Sequence, residues 1–197
     1  MYRVIVALSM WGVLAATAQA GEIPDVVLRQ ADAFAQTHPD MEPLPPGKTF
    51  REEYARHFLN GFLHQSNDDA SKSAMVRDAF EHGLLYWVDH PAERGVILTG
   101  FGFVAIDEDG IWWRNFEHSA FTPSNAEGEH WSMRTLDGSV WREEDMGLNT
   151  RSGQDRVHIK GYLSPKGHYG HLGGYQREVL ITAGESLDAA RPPSSKK

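Results

Sequence analysis

From Val157 to Thr182 the chain reads V-H-I-K-G-Y-L-S-P-K-G-H-Y-G-H-L-G-G-Y-Q-R-E-V-L-I-T, and no other stretch limits the fold as strongly. Both ends alternate with the period of a half-buried strand, and the middle is built from turn residues. The pattern predicts one β-hairpin with an elaborate loop. In the first arm Val157, Ile159, Gly161 and Leu163 share a face, and His158, Lys160 and Tyr162 share the other. In the second, Tyr175, Arg177, Val179 and Ile181 alternate with Gln176, Glu178, Leu180 and Thr182. Between the arms Gly167, Gly170, Gly173 and Gly174 tolerate positive φ or close backbone approach, and Pro165 fixes the entry.

A hairpin must bury its apolar face, and the preceding residues supply partners. Val96 to Ile106 and Ile111 to Phe121 alternate around Asp107-Glu108-Asp109-Gly110, whose Asp-Gly pair is a hairpin-turn signal. After a loop from Pro123 to Gly128 come a strand over His130 to Arg134, an Asp137-Gly138 turn and a short strand at Val140-Trp141. The period before position 90 is helical. Thr49-x-x-Glu52 is a capping box, and Tyr54, Phe58 and Phe62 with Leu59 and Leu63 form an apolar stripe. Ser66-Asn67-Asp68-Asp69 caps a second helix, on which Val76, Phe80, Gly83, Leu84 and Trp87 share a face until His90-Pro91. The expected fold is α+β: a helical hairpin over 48–90 packed on a small antiparallel, OB-like β-barrel over 95–183.

Residues 21–47 read as an N-terminal arm, amphipathic over Ile23 to Ala35, followed by a Pro-rich linker, and 184–197 as a polar disordered tail. Met1 to Ala20 has the form of a secretory signal peptide: Arg3, an apolar run from Val4 to Ala15, and Ala18-Gln19-Ala20 for cleavage. That run is shorter than the ~20 residues of a membrane span. The chain has no cysteine, hence no site for a lipid anchor and no disulfide framework. The expectation is a soluble periplasmic or secreted protein. Removing Arg3 makes the formal charge one unit more negative than the −8 of the whole chain. That balance argues against nucleic acid as a partner.

Two blocks, Asn115-Phe116-Glu117-His118-Ser119-Ala120-Phe121-Thr122-Pro123 and Gly161-Tyr162-Leu163-Ser164-Pro165-Lys166-Gly167-His168-Tyr169-Gly170-His171-Leu172-Gly173, the latter followed by Tyr175, are distinctive together. They resemble a recurrent small β-barrel module of exported bacterial proteins and lipoproteins, with F-E-x-S-x-F-x-P and G-x-L-S-P-x-G-x-Y-G-H-L-G-x-Y motifs. The resemblance covers Gly100 to Thr182. It implies a barrel and export, and it implies no activity.

Several residues are candidates for chemistry. His168-x-x-His171 in the loop, with His158 on the strand before it, offers imidazoles to Zn²⁺ or Cu²⁺, although the same spacing also serves loop structure. His57 and His64 flank Gly61 on one helix face, where either a ligand or a second helix fits. Glu117 beside His118 suggests a hydrolase, but neighbours on a strand face opposite ways, which favours a structural acceptor. By the same rule Trp112 and Trp113 point apart. An outward Trp113 beside Tyr162 or Tyr169 suits stacking on a sugar or peptide, unless the helices cover it. The combined expectation is a non-catalytic binding protein of the bacterial envelope with a protein partner. Periplasmic metal handling and hydrolysis near Glu117 are the alternatives.

Overall fold

The computed structural model describes residues 22–41, 44, 46–65, 73–114, 119–126, 128–136 and 153–188. The expected signal peptide, the expected cap at Ser66 to Asp69, Glu117 and His118, the turn and strand expected over 137–141 and the part of the expected tail beyond 188 lie outside the described residues.

Helix α1 spans Asp25–Thr37 and buries Val27, Ala31 and Phe34, one stripe at helical spacing. Helix α2, Phe50–Phe62, begins with the expected capping box: the Thr49 side chain accepts from the Glu52 N–H, and the Thr49 N–H donates to the Glu52 carboxylate. Its Tyr54, Phe58 and Phe62 are fully buried. Helix α3, Ala74–Asp89, presents Val76, Ala79, Gly83, Tyr86 and Trp87 to that stripe and stops at His90-Pro91. The helical hairpin is present as read.

The chain then departs from expectation. A 3-10 turn over Pro91–Glu93 leads into helix α4, Arg94–Gly100, where a strand was expected from Val96. A short apolar run has no decisive period. Here Ile97 and Leu98 are buried while Val96 is 70% exposed, a one-sided helical pattern anchored in the helical core.

Strand β1, Val104–Arg114, runs straight through Asp109-Gly110, so the expected turn there is absent. Gly110 is glycine for another reason. A Cβ at that position would strike the Phe121 ring and the Thr122 carbonyl oxygen, so β1 needs the missing side chain to lie against β2. Strands β2 (Ser119–Pro123), β3 (Trp131–Thr135), β4 (Gly153–Leu163) and β5 (Glu178–Ser186) complete a closed barrel in the order β1-β2-β3-β5-β4. The barrel is mixed rather than antiparallel, because β3 and β5 run parallel. The long connection between them contains β4, and a parallel pair needs such a crossover. β5 continues to Ser186, opposite Val157, into what reads as tail.

Trp112, Phe121, Trp131, Met133, Val157, Ile159, Val179 and Ile181 fill the barrel. Leu180 and Tyr162 face outward from β5 and β4 and join the helical core. A bulge at Lys160/Gly161 adjusts the register there. Arg134 on β3 fastens the two parts, donating to the Leu63 carbonyl (2.8 Å) and to the Glu178 carboxylate (3.0 Å). Among the described residues no helix is long and apolar enough to cross a membrane.

Candidate functional site

The expected hairpin loop forms a braced arm. Beyond the last strand residues the ladder continues: the Ser164 N–H donates to the Glu178 carbonyl, Gly167 to Gln176, and Tyr169 and Tyr175 exchange a reciprocal pair at 2.9 and 3.1 Å. Ser164, fully buried, accepts the Glu178 N–H on its hydroxyl, and its carbonyl accepts from the Arg177 guanidinium at 2.7 Å. At the tip, Gly170, Leu172 and Gly173 all have positive φ, and the Gly173 N–H donates to the Gly170 carbonyl.

Leu172 was not singled out by its sequence. It carries φ +54 and is 92% exposed. A left-handed conformation costs a non-glycine residue about 1–2 kcal/mol. The tip therefore holds an apolar side chain in water on a strained backbone, a combination that packing of the chain itself does not explain. Flanking glycines supply the signal for a left-handed turn, but nothing in G-H-L-G distinguishes the leucine as the displayed residue.

Beside the arm lies an open groove of about 760 Å³. Its base is the outer face of the sheet, where register aligns Gln154 on β4, Trp113 on β1, Ala120 on β2 and Ser132 on β3 in one row. Trp113 is 37% exposed, whereas Trp112, one residue away, is inside the barrel with its indole N–H donated to Ser119. The opposing wall is the arm, with Tyr175, Gln176 and Lys166. Gly170 lets the arm settle onto β3, since a Cβ there would come within 2.7 Å of both the Ser132 hydroxyl and the Tyr175 ring.

Several polar groups along the groove are engaged within the chain, while Lys166 on the arm is exposed. Glu129 accepts from the Trp131 indole at 2.7 Å, Arg177 holds Ser164, and the His130 ring bonds the Thr122 hydroxyl at 2.8 Å. Arg177 donates to a neutral carbonyl and keeps its charge, so the groove carries the cations Lys166 and Arg177 beside the carboxylate of Glu129.

The other candidate residues are dispersed. His158, on the outer face of β4, places Nδ1 2.7 Å from Asp109 and Nε2 2.8 Å from Asp107, so both nitrogens serve as donors. Asp109 is the main cause that raises its pKa above 6.5. His168 is exposed on the arm, and His171 stands in the tip turn Gly170–Gly173. Among the described residues no three His, Asp or Glu side chains are grouped to hold a metal ion.

His57 and His64 do not share a face. α2 ends at Phe62, and His64 leaves it with φ +53 to lie exposed, edge-on to Trp87. His57 is 2% exposed, and its Nε2 accepts from Arg56, which leaves the ring neutral with its proton on Nδ1. Gly61 serves helix packing, the second of the two readings its position allows. Tyr162 packs on the helices beside Gly95 and takes no part in the groove. Tyr169 belongs to the arm's ladder, and the aromatic residue that faces the groove with Trp113 is Tyr175.

No protein family, no characterised protein and no solved structure matches this chain.

Proposed function

We propose that the chain is an exported, non-catalytic binding protein of the bacterial envelope that engages a protein partner through the arm between β4 and β5. The observation that carries this reading is Leu172, 92% exposed at φ +54 on an arm whose backbone is hydrogen-bonded nearly to its tip. A rigid apolar knob loses little entropy on binding and gains a full side chain's burial, about 1.5–3 kcal/mol, when a pocket receives it. The acidic charge of the chain supports a protein partner over nucleic acid.

A photo-crosslinking amino acid at position 172, compared with one at Val104, an exposed apolar residue on β1, tests the reading in native cells. The expected result is a discrete cross-linked species at 172 only, competed away by excess parent chain and not by Leu172→Asp. Equal labelling from both positions rejects the arm as the binding element.

A further inference from the structure

We propose that the groove beside the arm receives an acidic peptide segment of the protein partner, gripped through its carboxylates by Lys166 and Arg177. The proposal names the partner's chemistry and rests on the arm as the binding element. The stretch from Ser164 to Arg177 carries these two cations and no Asp or Glu, in a chain of formal charge −8. The arm is thus a basic projection from an acidic protein. Elsewhere Lys48, Arg51, Arg56, Arg134 and Lys160 each pair with a carboxylate of the chain. Among the described residues Lys166 and Arg177 have no carboxylate partner. The ladder bonds from Ser164 to Glu178 and from Gly167 to Gln176 bracket the two cations, so they sit at one level of the arm, and both line the groove.

The Arg177 guanidinium gives Nη1 to the neutral Ser164 carbonyl, which fixes the group while leaving its charge and its other N–H donors for a carboxylate. Gln154 on β4 and Gln176 on the arm line the groove, are exposed, and add amide donors. Ile111, 40% exposed on the floor, meets the aliphatic part of such a segment. Glu129 is the one carboxylate among the described lining residues, held by the Trp131 indole. It repels like charge, so the acidic residues of the segment belong on the arm side. A dense polyanion such as nucleic acid or an anionic lipid surface meets repulsion from the rest of the chain. A few peptide carboxylates instead engage the two cations within a Debye length, about 8 Å. A peptide adding as a strand needs an unpaired edge, and β1 and β2 are both paired on each side, so recognition here falls to side chains.

The test places the photo-crosslinking amino acid at Gln176 of the full chain in native cells and sequences the attached product by mass spectrometry, alongside the labelling at position 172. The expected product is a peptide of the partner trapped at 172, with Asp and Glu outnumbering Lys and Arg around the attachment point. Lys166→Glu is expected to lower its yield about threefold or more, and Lys166→Arg to keep it. The melting temperature is unchanged in both, since Lys166 is exposed and pairs with no described residue. Arg177 is left in place because it braces Ser164. No labelling at 176, a peptide without acidic excess, a lipid or nucleotide in its place, or a yield indifferent to Lys166→Glu overturns the acidic segment, and discrete labelling at 172 then preserves the arm as the binding element. Labelling at 172 no stronger than at 104 rejects the arm, and this proposal with it.

Discussion

Gly61 and Gly83 interlock the helical hairpin reciprocally: the space where a Cβ of Gly61 would lie is taken by the Phe80 carbonyl oxygen, and that of Gly83 by the Phe58 carbonyl oxygen. Each glycine receives the backbone of the facing helix, so neither contact relaxes by a side-chain rotation. Gly61→Ala and Gly83→Ala are each expected to lower stability by about 1–3 kcal/mol through overpacking. This loss prevails although alanine is the better helix former by about 1 kcal/mol. Urea unfolding followed by far-UV circular dichroism reads the shift in midpoint, and an unchanged midpoint in both variants rejects the interlock.

Tyr54 is fully buried, and its hydroxyl donates to Asp78 at 2.8 Å, which bridges α2 to α3. Burial first, then the hydrogen bond to Asp78, raises its pKa far above the ordinary tyrosine value, so the donor stays protonated across the working pH range. Tyr54→Phe keeps the ring and removes a bond to a charged acceptor. A loss of about 1.5–3 kcal/mol is expected at pH 7. A double-mutant cycle with Asp78→Ala checks that the loss belongs to this pair.

The cluster of His158 with Asp107 and Asp109 gives the barrel a pH dependence of definite sign. The folded pKa of His158 is raised above its unfolded 6.5, chiefly by the hydrogen bond to Asp109, with further support from the charges of Asp107 and Asp109 and opposition from burial and Lys160. A group of this kind contributes its full stabilisation below about pH 6.5 and loses it as pH rises through the higher folded value. The side chain is partly open to water, which keeps the effect small. His158→Gln is expected to be less stable than the parent at pH 5.5, with the difference shrinking above neutrality. A difference that grows with pH contradicts the assignment, and histidine NMR titration gives the folded value directly.

Adjacent tryptophans are expected to behave oppositely. Trp112 packs with Phe121 and Trp131 inside the barrel, and Trp112→Ala costs about 3–5 kcal/mol. Trp113→Ala, on the outer face and 37% exposed, is expected to cost clearly less than Trp112→Ala. Thermal melts of the two variants decide it, and comparable losses contradict the inward and outward assignment.

How much of this was legible in the sequence follows from how local each signal is. The capping box at Thr49 and the Tyr54-Phe58-Phe62 stripe depend on residues within two turns, and both were read correctly. The alternation of Val157 and Ile159 against His158 and Lys160 located β4, because a strand with one buried face advertises it. Gly110 misled because an Asp-Gly pair satisfies a turn and an uninterrupted barrel strand equally well; what distinguishes them is Phe121, a neighbour only after folding. Val96 to Leu98 misled for a related reason, since three apolar residues fit either period and the helical core decided the outcome. The groove was half legible. Trp113 was identified as an outward candidate, but Tyr175 reached it only because the arm folds back over β3, a long-range event with no sequence period.

The parallel pairing of β3 with β5 sets the order in which the molecule can be assembled. β5 is the last described strand in the chain, yet it lies between β3 and β4, so both carry an open edge until it arrives. A chain emerging N-terminus first can complete the α2–α3 hairpin from nearby segments, while closure of the barrel must wait for residues 178–186. During that interval the exposed edges of β3 and β4 are templates for pairing with other chains. A chain cut before Glu178 is left in that state permanently, and its expected fate is edge-to-edge association rather than a smaller folded monomer.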